Sequence, residues 1–234
     1  MATLQILSAG AVKGLVTVLE TAFKADANAD LNSTFSAVGA IQDKYLAGDP
    51  CDVLILSQKM LEALQQRGNL LAGAIAPIGT VRTGIAVRSG MGVPDIASAA
   101  ALAAALTASD AIFIPDPERS TAGIFFVGVL KKLGIYSDVE RHLRPFPNGA
   151  TAMRHLADST DKQPIGCTQI TEIKYTPDVT LVGPLPKAHD LSTVYSAAVS
   201  GRSANPELAH RLVALLSGPQ SRALRIDGGF ELLS

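Results

Sequence analysis

Several things are scarce in this chain, and each scarcity removes a class of function. Cysteine occurs twice, as Cys51 and Cys167, far apart and without a histidine at ligand spacing. No metal cluster follows from that pattern, and both thiols read as small buried apolar side chains. The four histidines, His142, His155, His189 and His210, share no metal-binding spacing and read as surface residues. Charge of one sign is missing too: 20 Lys and Arg stand against 21 Asp and Glu, so no basic field exists to hold a nucleic-acid backbone. No stretch approaches the roughly 20 apolar residues of a membrane helix, and the Ala-rich run Ala99 to Leu106 is too short. A Gly-rich phosphate loop, a nucleophile elbow, a metalloprotease helix and a short-period repeat are also absent, so neither a cofactor nor a metal is expected. The first basic residue is Lys13 and the first apolar run has only strand length, unlike a secretory leader. We therefore expect a cytoplasmic chain, or a periplasmic one if a leader has been removed.

What remains is an ordinary core-forming composition. At 234 residues, 47% hydrophobic and 18% charged, the chain has length for one large domain or two lobes. Short β-branched runs alternate with helical patterns: strand Leu4–Ser8, helix from Ala11 to about Asp26, strand Leu31–Ser36, helix to Ala47, strand Cys51–Ser57, helix to Gln66. This rhythm predicts βαβ units and a mostly parallel sheet covered on both faces, an α/β fold. In the first helix Val12, Leu15, Val16, Leu19, Ala22 and Phe23 keep the i, i+3, i+4 spacing of one buried stripe. Gly48-Asp49-Pro50 ends the second helix. An extended segment Ile78–Val87 leads to a helix near Ile96–Thr107, strand Ala111–Pro115, helix Ala122–Leu133, a short helix about Ser137–Leu143, helix Ala150–Asp158 and strand Ile165–Ile170. A long strand Leu191–Ser200 precedes closing helices at Pro206–Leu216 and Gln220–Ile226, the former with Asn205 as cap and Pro206 in its first position. Crossovers near 80–88 and 183–195 divide the chain into one lobe of residues 1–82 plus 192–234 and another of 83–191, with a cleft between them.

Four turns have the makings of anion sites. The segment Leu4 to Gly14 runs from an apolar strand through Ser8-Ala9-Gly10 into a helix, and Ser33 to Ala40, Arg119 to Gly123 and Asn148 to Thr151 repeat the arrangement. A helix start presents unsatisfied N–H groups and the positive end of its dipole. Open α/β sheets bind ligands at the carboxyl ends of their strands, where these turns lie. Thr168 and Gln169 end an apolar strand, an unexpected place for polar side chains in a pure core. Lys13 and Arg119 flank two of the turns, Arg119 reading equally as a salt-bridge partner of Asp116 or Glu118. Ser8 and Ser36 read either as ligand hydroxyls or as local helix caps, and one of Ser120 and Thr121 is expected to cap the helix that follows.

Taken in order, Ser8-Ala9-Gly10-Ala11, the run from Tyr45 to Val53, Ser120-Thr121-Ala122-Gly123-Ile124 ahead of Leu130-Lys131-Lys132-Leu133-Gly134, Pro164 to Gln169, and Gly228-Gly229-Phe230-Glu231 resemble the type II periplasmic-binding-protein fold. Within that fold they resemble the molybdate-binding components of bacterial ABC importers. The resemblance covers nearly the whole chain. It implies two lobes that close on an oxyanion held by hydroxyls and backbone amides, with Ser8 as the first-loop serine and Ala122 and Gly149 as amide donors. Two positions depart from the pattern: Phe35-Ser36-Ala37-Val38-Gly39 lacks consecutive serines, and Gln169 stands where many members have a tyrosine. With Lys13 and Arg119 beside the turns, these departures favour a small organic carboxylate over molybdate. The expected ligand-binding set is thus Ser8, Ala9, Lys13, Ser36, Ala37, Arg119, Ser120, Thr121, Ala122, Gly149, Thr168 and Gln169.

Three functions fit such a site. A solute-binding receptor would hand its anion to an ABC permease. An isomerase resembling aconitate isomerase would move a proton on a clamped carboxylic acid, with Glu172, Cys167 or Lys13 as base and Arg119 as charge stabiliser. A ligand sensor, as in the effector domain of LysR-type regulators, would need a separate DNA-binding partner, since no helix-turn-helix precedes the fold. We expect the first.

Overall fold

The computed structural model describes residues 2–73 and 75–233. They form two compact units: the first runs to Val81 and resumes at Thr193, the second spans Arg82–Ser192.

In the first unit, strands β1 (Ala2–Ala9), β2 (Ala29–Ser36) and β3 (Val53–Ser57) run parallel in the order β2-β1-β3, and β9 (Ser192–Val199) pairs antiparallel with β3. β3 reads Val-Leu-Ile-Leu without alternation because both of its faces are covered, and Val53 to Leu56 are fully buried. Helices α1 (Lys13–Ala27), α2 (Val38–Ala47) and α3 (Gln58–Gln66) follow these strands, and α9 (Pro206–Ser217) and α10 (Arg222–Asp227) close the unit. The stripe of α1 is narrower than its sequence suggests: Leu15, Val16, Leu19 and Phe23 are buried, whereas Ala22 faces solvent. At the end of α2, Gly48 takes φ +99°, a left-handed conformation costly for residues with a Cβ, and its N–H and that of Asp49 return to the carbonyls of Tyr45 and Lys44.

In the second unit the sheet order is β8-β4-β7-β5-β6, from β4 (Ala76–Arg88, which enters from the first unit), β5 (Ala111–Pro115), β6 (Leu143–Phe146), β7 (Pro164–Gln169) and β8 (Val179–Pro184). Period-two alternation sends Ile85, Ile112 and Ile114 to one face, under α4 (Ala99–Ala108), α5 (Thr121–Lys132) and α6 (Tyr136–Val139). Ala86, Ala111 and Phe113 face the other way, toward Met153 and Leu156 of α7 (Gly149–Ala157) and Ile173 of α8 (Ile170–Tyr175). Three of these elements, β6, α8 and β8, were not expected, and the short helix read over Ser137–Leu143 ends earlier, so that Leu143 opens β6.

Candidate functional site

The expected residues of the first unit gather at the carboxyl ends of its parallel strands. Register pairs Ala9 with Ser36 and Ser8 with both Phe35 and Ile55, so Ser8, Ala9, Ser36 and Ala37 share one edge of the sheet. Lys13, half-buried at the first position of α1, sets its ammonium 5.9 Å from the Phe35 ring centroid, which draws it toward the end of β2. The Ser8 hydroxyl is fully buried and donates to the Ala9 carbonyl at 3.0 Å, so it caps no helix. No side chain caps α1 or α2. A 3-10 turn, Gly10–Val12, separates β1 from α1 and its Gly10 carbonyl accepts the Lys13 N–H, so the first N–H groups after β1 are those of the turn, beside buried Ala9 and Ala11, whereas α2 starts directly after β2, beside buried Ala37 and Val38.

In the second unit, β5 ends at Pro115 and a tight turn leads into α5. Asp116 Oδ1 accepts from the N–H groups of Glu118 and Arg119 at 2.7 and 3.1 Å, which leaves Arg119 on the exposed shoulder of the turn. Ser120 precedes α5 but makes no side-chain cap bond, which corrects the expectation that it or Thr121 would cap the helix by that route. A Cβ on Gly123 would overlap the Pro115 and Asp116 carbonyls, so the helix start presses directly on the strand end, with Ala122 buried beside it.

A different arrangement holds the start of α7. Asn148 accepts from the Thr151 N–H at 2.9 Å, a side-chain cap. Buried Glu172 brings its carboxyl to the N–H groups of Ala150 and Gln169 and accepts from Thr168 Oγ1 at 2.6 Å. The chain's own carboxyl thus sits at this helix N-terminus. A Cβ at Gly149 would collide with Glu172 Oε2 and Thr168 Oγ1, so glycine there lets the three groups meet. Thr168, expected to face a ligand, is thereby engaged with the chain's own carboxyl, and Gly149 lies against both. Burial pushes the Glu172 carboxyl above its usual range, and the bonds from Thr168, Ala150 and Gln169 hold that rise back. Cys167 is unsuited to act as a base at neutral pH, because complete burial pushes its thiol well above the ordinary thiol value.

Gln169 is buried, and neither its Oε1 nor its Nε2 has a partner. Register places it opposite Thr83 of β4, whose hydroxyl is also buried and unpartnered, as is that of Thr171 two residues on. Sequence reasoning missed Thr83 and Thr171. A signal existed for Thr83, a hydroxyl residue in the extended run from Ile78 to Val87. A cavity of about 420 Å³ lies at the opposite end of the β4–β7 ladder, where Val87 pairs with Ile165, and is lined mainly by apolar groups including Met91, Val93 and Ala105. Among the described residues no group of three or more His, Cys, Asp or Glu is placed to hold a metal ion, and no helix is long and apolar enough to cross a membrane.

This architecture has known counterparts. The chain is similar to a molybdate-binding periplasmic protein of Azotobacter vinelandii, with a TM-score of 0.82 at 17% identity over 99% of this chain and 100% of that one. It is similar to a sulfate-binding protein of Mycobacterium tuberculosis, with a TM-score of 0.75 at 16% identity over 100% of this chain and 88% of that one. In sequence it is 24% identical over 238 residues to an aconitate isomerase from a Pseudomonas species, covering 98% of this chain and 87% of the relative. Residues 4–231 match the family described as bacterial extracellular solute-binding protein, and the chain belongs to that family.

Proposed function

We propose that the protein captures a small anion, an organic carboxylate in preference to a tetrahedral oxyanion, as the solute-binding component of an ABC-type importer acting in the periplasm. The observation that carries this reading is that the 3-10 turn Gly10–Val12, α2 and α5 start without side-chain caps after β1, β2 and β5, although Ser36 and Ser120 stand at or next to two of those starts. Buried helix starts need acceptors for their first N–H groups, and an anion supplies them. Lys13 adds positive charge at the start of α1 and Arg119 on the turn before α5, and a guanidinium can pair with a planar carboxylate through two parallel bonds. The relatives, a molybdate-binding protein, a sulfate-binding protein and an aconitate isomerase, agree with a small anion as the shared chemistry.

The test is a thermal-shift screen of molybdate, tungstate, sulfate and small di- and tricarboxylates, followed by calorimetry on each hit. Thr121, at the first position of α5, offers a backbone variant, because proline fits a first helical position while removing its N–H. Ser120 already has extended backbone angles, φ −98° and ψ 131°, compatible with a following proline. Thr121→Pro should weaken the anion at least tenfold and Thr121→Ala by less. A panel in which no anion raises the melting temperature would end the proposal.

One observation favours a second reading. Glu172 is a buried carboxyl with a raised pKa, three residues from Gln169, in a chain whose curated relative is an isomerase. Proton NMR in deuterium oxide separates the two: an isomerase exchanges a carbon-bound hydrogen of the bound acid for deuterium, whereas a receptor leaves it in place.

A further inference from the structure

Thr83 and Gln169 stand directly opposite each other in the antiparallel β4–β7 ladder, so their side chains share one face. Both are buried, at 0% and 3% exposure, yet Thr83 Oγ1, Gln169 Oε1 and Gln169 Nε2 bond neither to each other nor to any other group. Their neighbour Thr168 shows what the local rule is: its hydroxyl is bonded to Glu172 at 2.6 Å. Native proteins leave few buried polar atoms without partners, and a cluster of them needs an explanation.

The chemical types of the unpartnered atoms narrow what can satisfy them. The Gln169 amide nitrogen offers two donors and the Thr83 hydroxyl one, but Gln169 Oε1 is an acceptor only. A fully deprotonated oxyanion or a simple carboxylate carries no hydrogen to give, so it could meet the donors and would leave Oε1 orphaned. A molecule that bears a carboxylate and also a hydroxyl can meet both. We infer that the natural ligand is a hydroxy acid, whose carboxylate takes the donors of this cluster and whose hydroxyl donates to Gln169 Oε1. This rests on the anion-binding reading above and narrows it from anions at large to one class.

The experiment compares compounds that differ by a single hydroxyl, by calorimetry on the full chain: malate against succinate, and citrate against tricarballylate, with molybdate and sulfate alongside. At least one hydroxylated member should bind ten or more times tighter than its deoxy partner. In Gln169→Met, which removes both amide groups while keeping a side chain of similar length, that ratio should fall to about one. Equal affinities within both pairs in the wild type would overturn the inference while leaving the anion-binding reading intact. A ratio that survives in Gln169→Met would overturn it also. If no member of the panel binds, the anion-binding reading fails and takes this inference with it.

Discussion

The hydroxyl of Thr168, near the end of β7, donates across four residues to Oε2 of Glu172 at 2.6 Å. That bond ties a buried carboxyl to the strand end, while the Ala150 N–H ties it to the start of α7. Because burial raises the Glu172 pKa in the folded state, the folded protein holds a proton there that the unfolded chain releases at lower pH. The associated stability is full at acid pH and declines as pH rises from the ordinary carboxylate range through the raised value. Glu172→Gln mimics the neutral form, so the wild type should lose stability relative to it as pH goes from 4 to 8, measured by urea denaturation at several pH values. Thr168→Val removes a bond that favours the charged form and should move the decline to lower stability at neutral pH. Parallel pH profiles for wild type and Glu172→Gln would refute the assignment.

Gly149→Ala inserts a methyl group where Glu172 Oε2 and Thr168 Oγ1 already lie. Both are side-chain ends, but buried and bonded to each other at 2.6 Å, so making room for the methyl breaks that bond, and we expect a loss of about 2 kcal/mol in urea denaturation. Gly128, where a Cβ would meet nothing within 4 Å, serves as the control, and its alanine variant should not be destabilised.

Asp52 organises the first unit. It is 3% exposed and accepts from Gln5 N through Oδ2 at 2.8 Å, and from Ser203 Oγ, Ala204 N and Asn205 N through Oδ1 at 2.7, 2.9 and 3.2 Å. Asp52→Ala leaves those donors without an acceptor and should cost about 3 kcal/mol. A loss below about 1 kcal/mol would mean that water replaces the carboxylate at this site.

The two thiols are protected in different surroundings by the same cause. Burial, aided by Asp52, pushes Cys51 up to about 12 against the opposing effects of the Leu7 backbone and Arg202, and burial alone raises Cys167. Iodoacetamide at pH 8 should label neither in the folded protein and both in urea, read by mass spectrometry. Labelling of the native protein at either position would show that its burial is transient.

Arg119→Ala tests the proposed contribution of the exposed guanidinium on the turn before α5. If it pairs with a carboxylate ligand, affinity by calorimetry should fall more than tenfold while the melting temperature of the free protein stays within a few degrees. Unchanged affinity would remove Arg119 from the site.

The alternation of apolar strands and helices by itself determined the α/β class and most of the element order, because buried parallel strands and amphipathic helices leave distinct periods in the chain. Pro206 at the first position of α9 was legible for the same local reason: it needs no distant partner. Elements without a period of their own were not. β8 is half-buried along most of its length, β6 is a four-residue strand at the sheet edge containing Pro145, and α8 has only six residues. Capping was decided by tertiary structure as well. Asn205 makes no side-chain cap; its N–H instead meets Asp52, 153 residues away, while Ser120 leaves α5 uncapped by any side chain. The same holds for the candidate site. Small and hydroxyl residues at strand ends marked where strands turn into helices, since those turns follow from local sequence. That Glu172 would meet the start of α7, or that Thr83 would face Gln169 with no partner for either, depended on register between strands remote in sequence, and only the folded chain fixes that register.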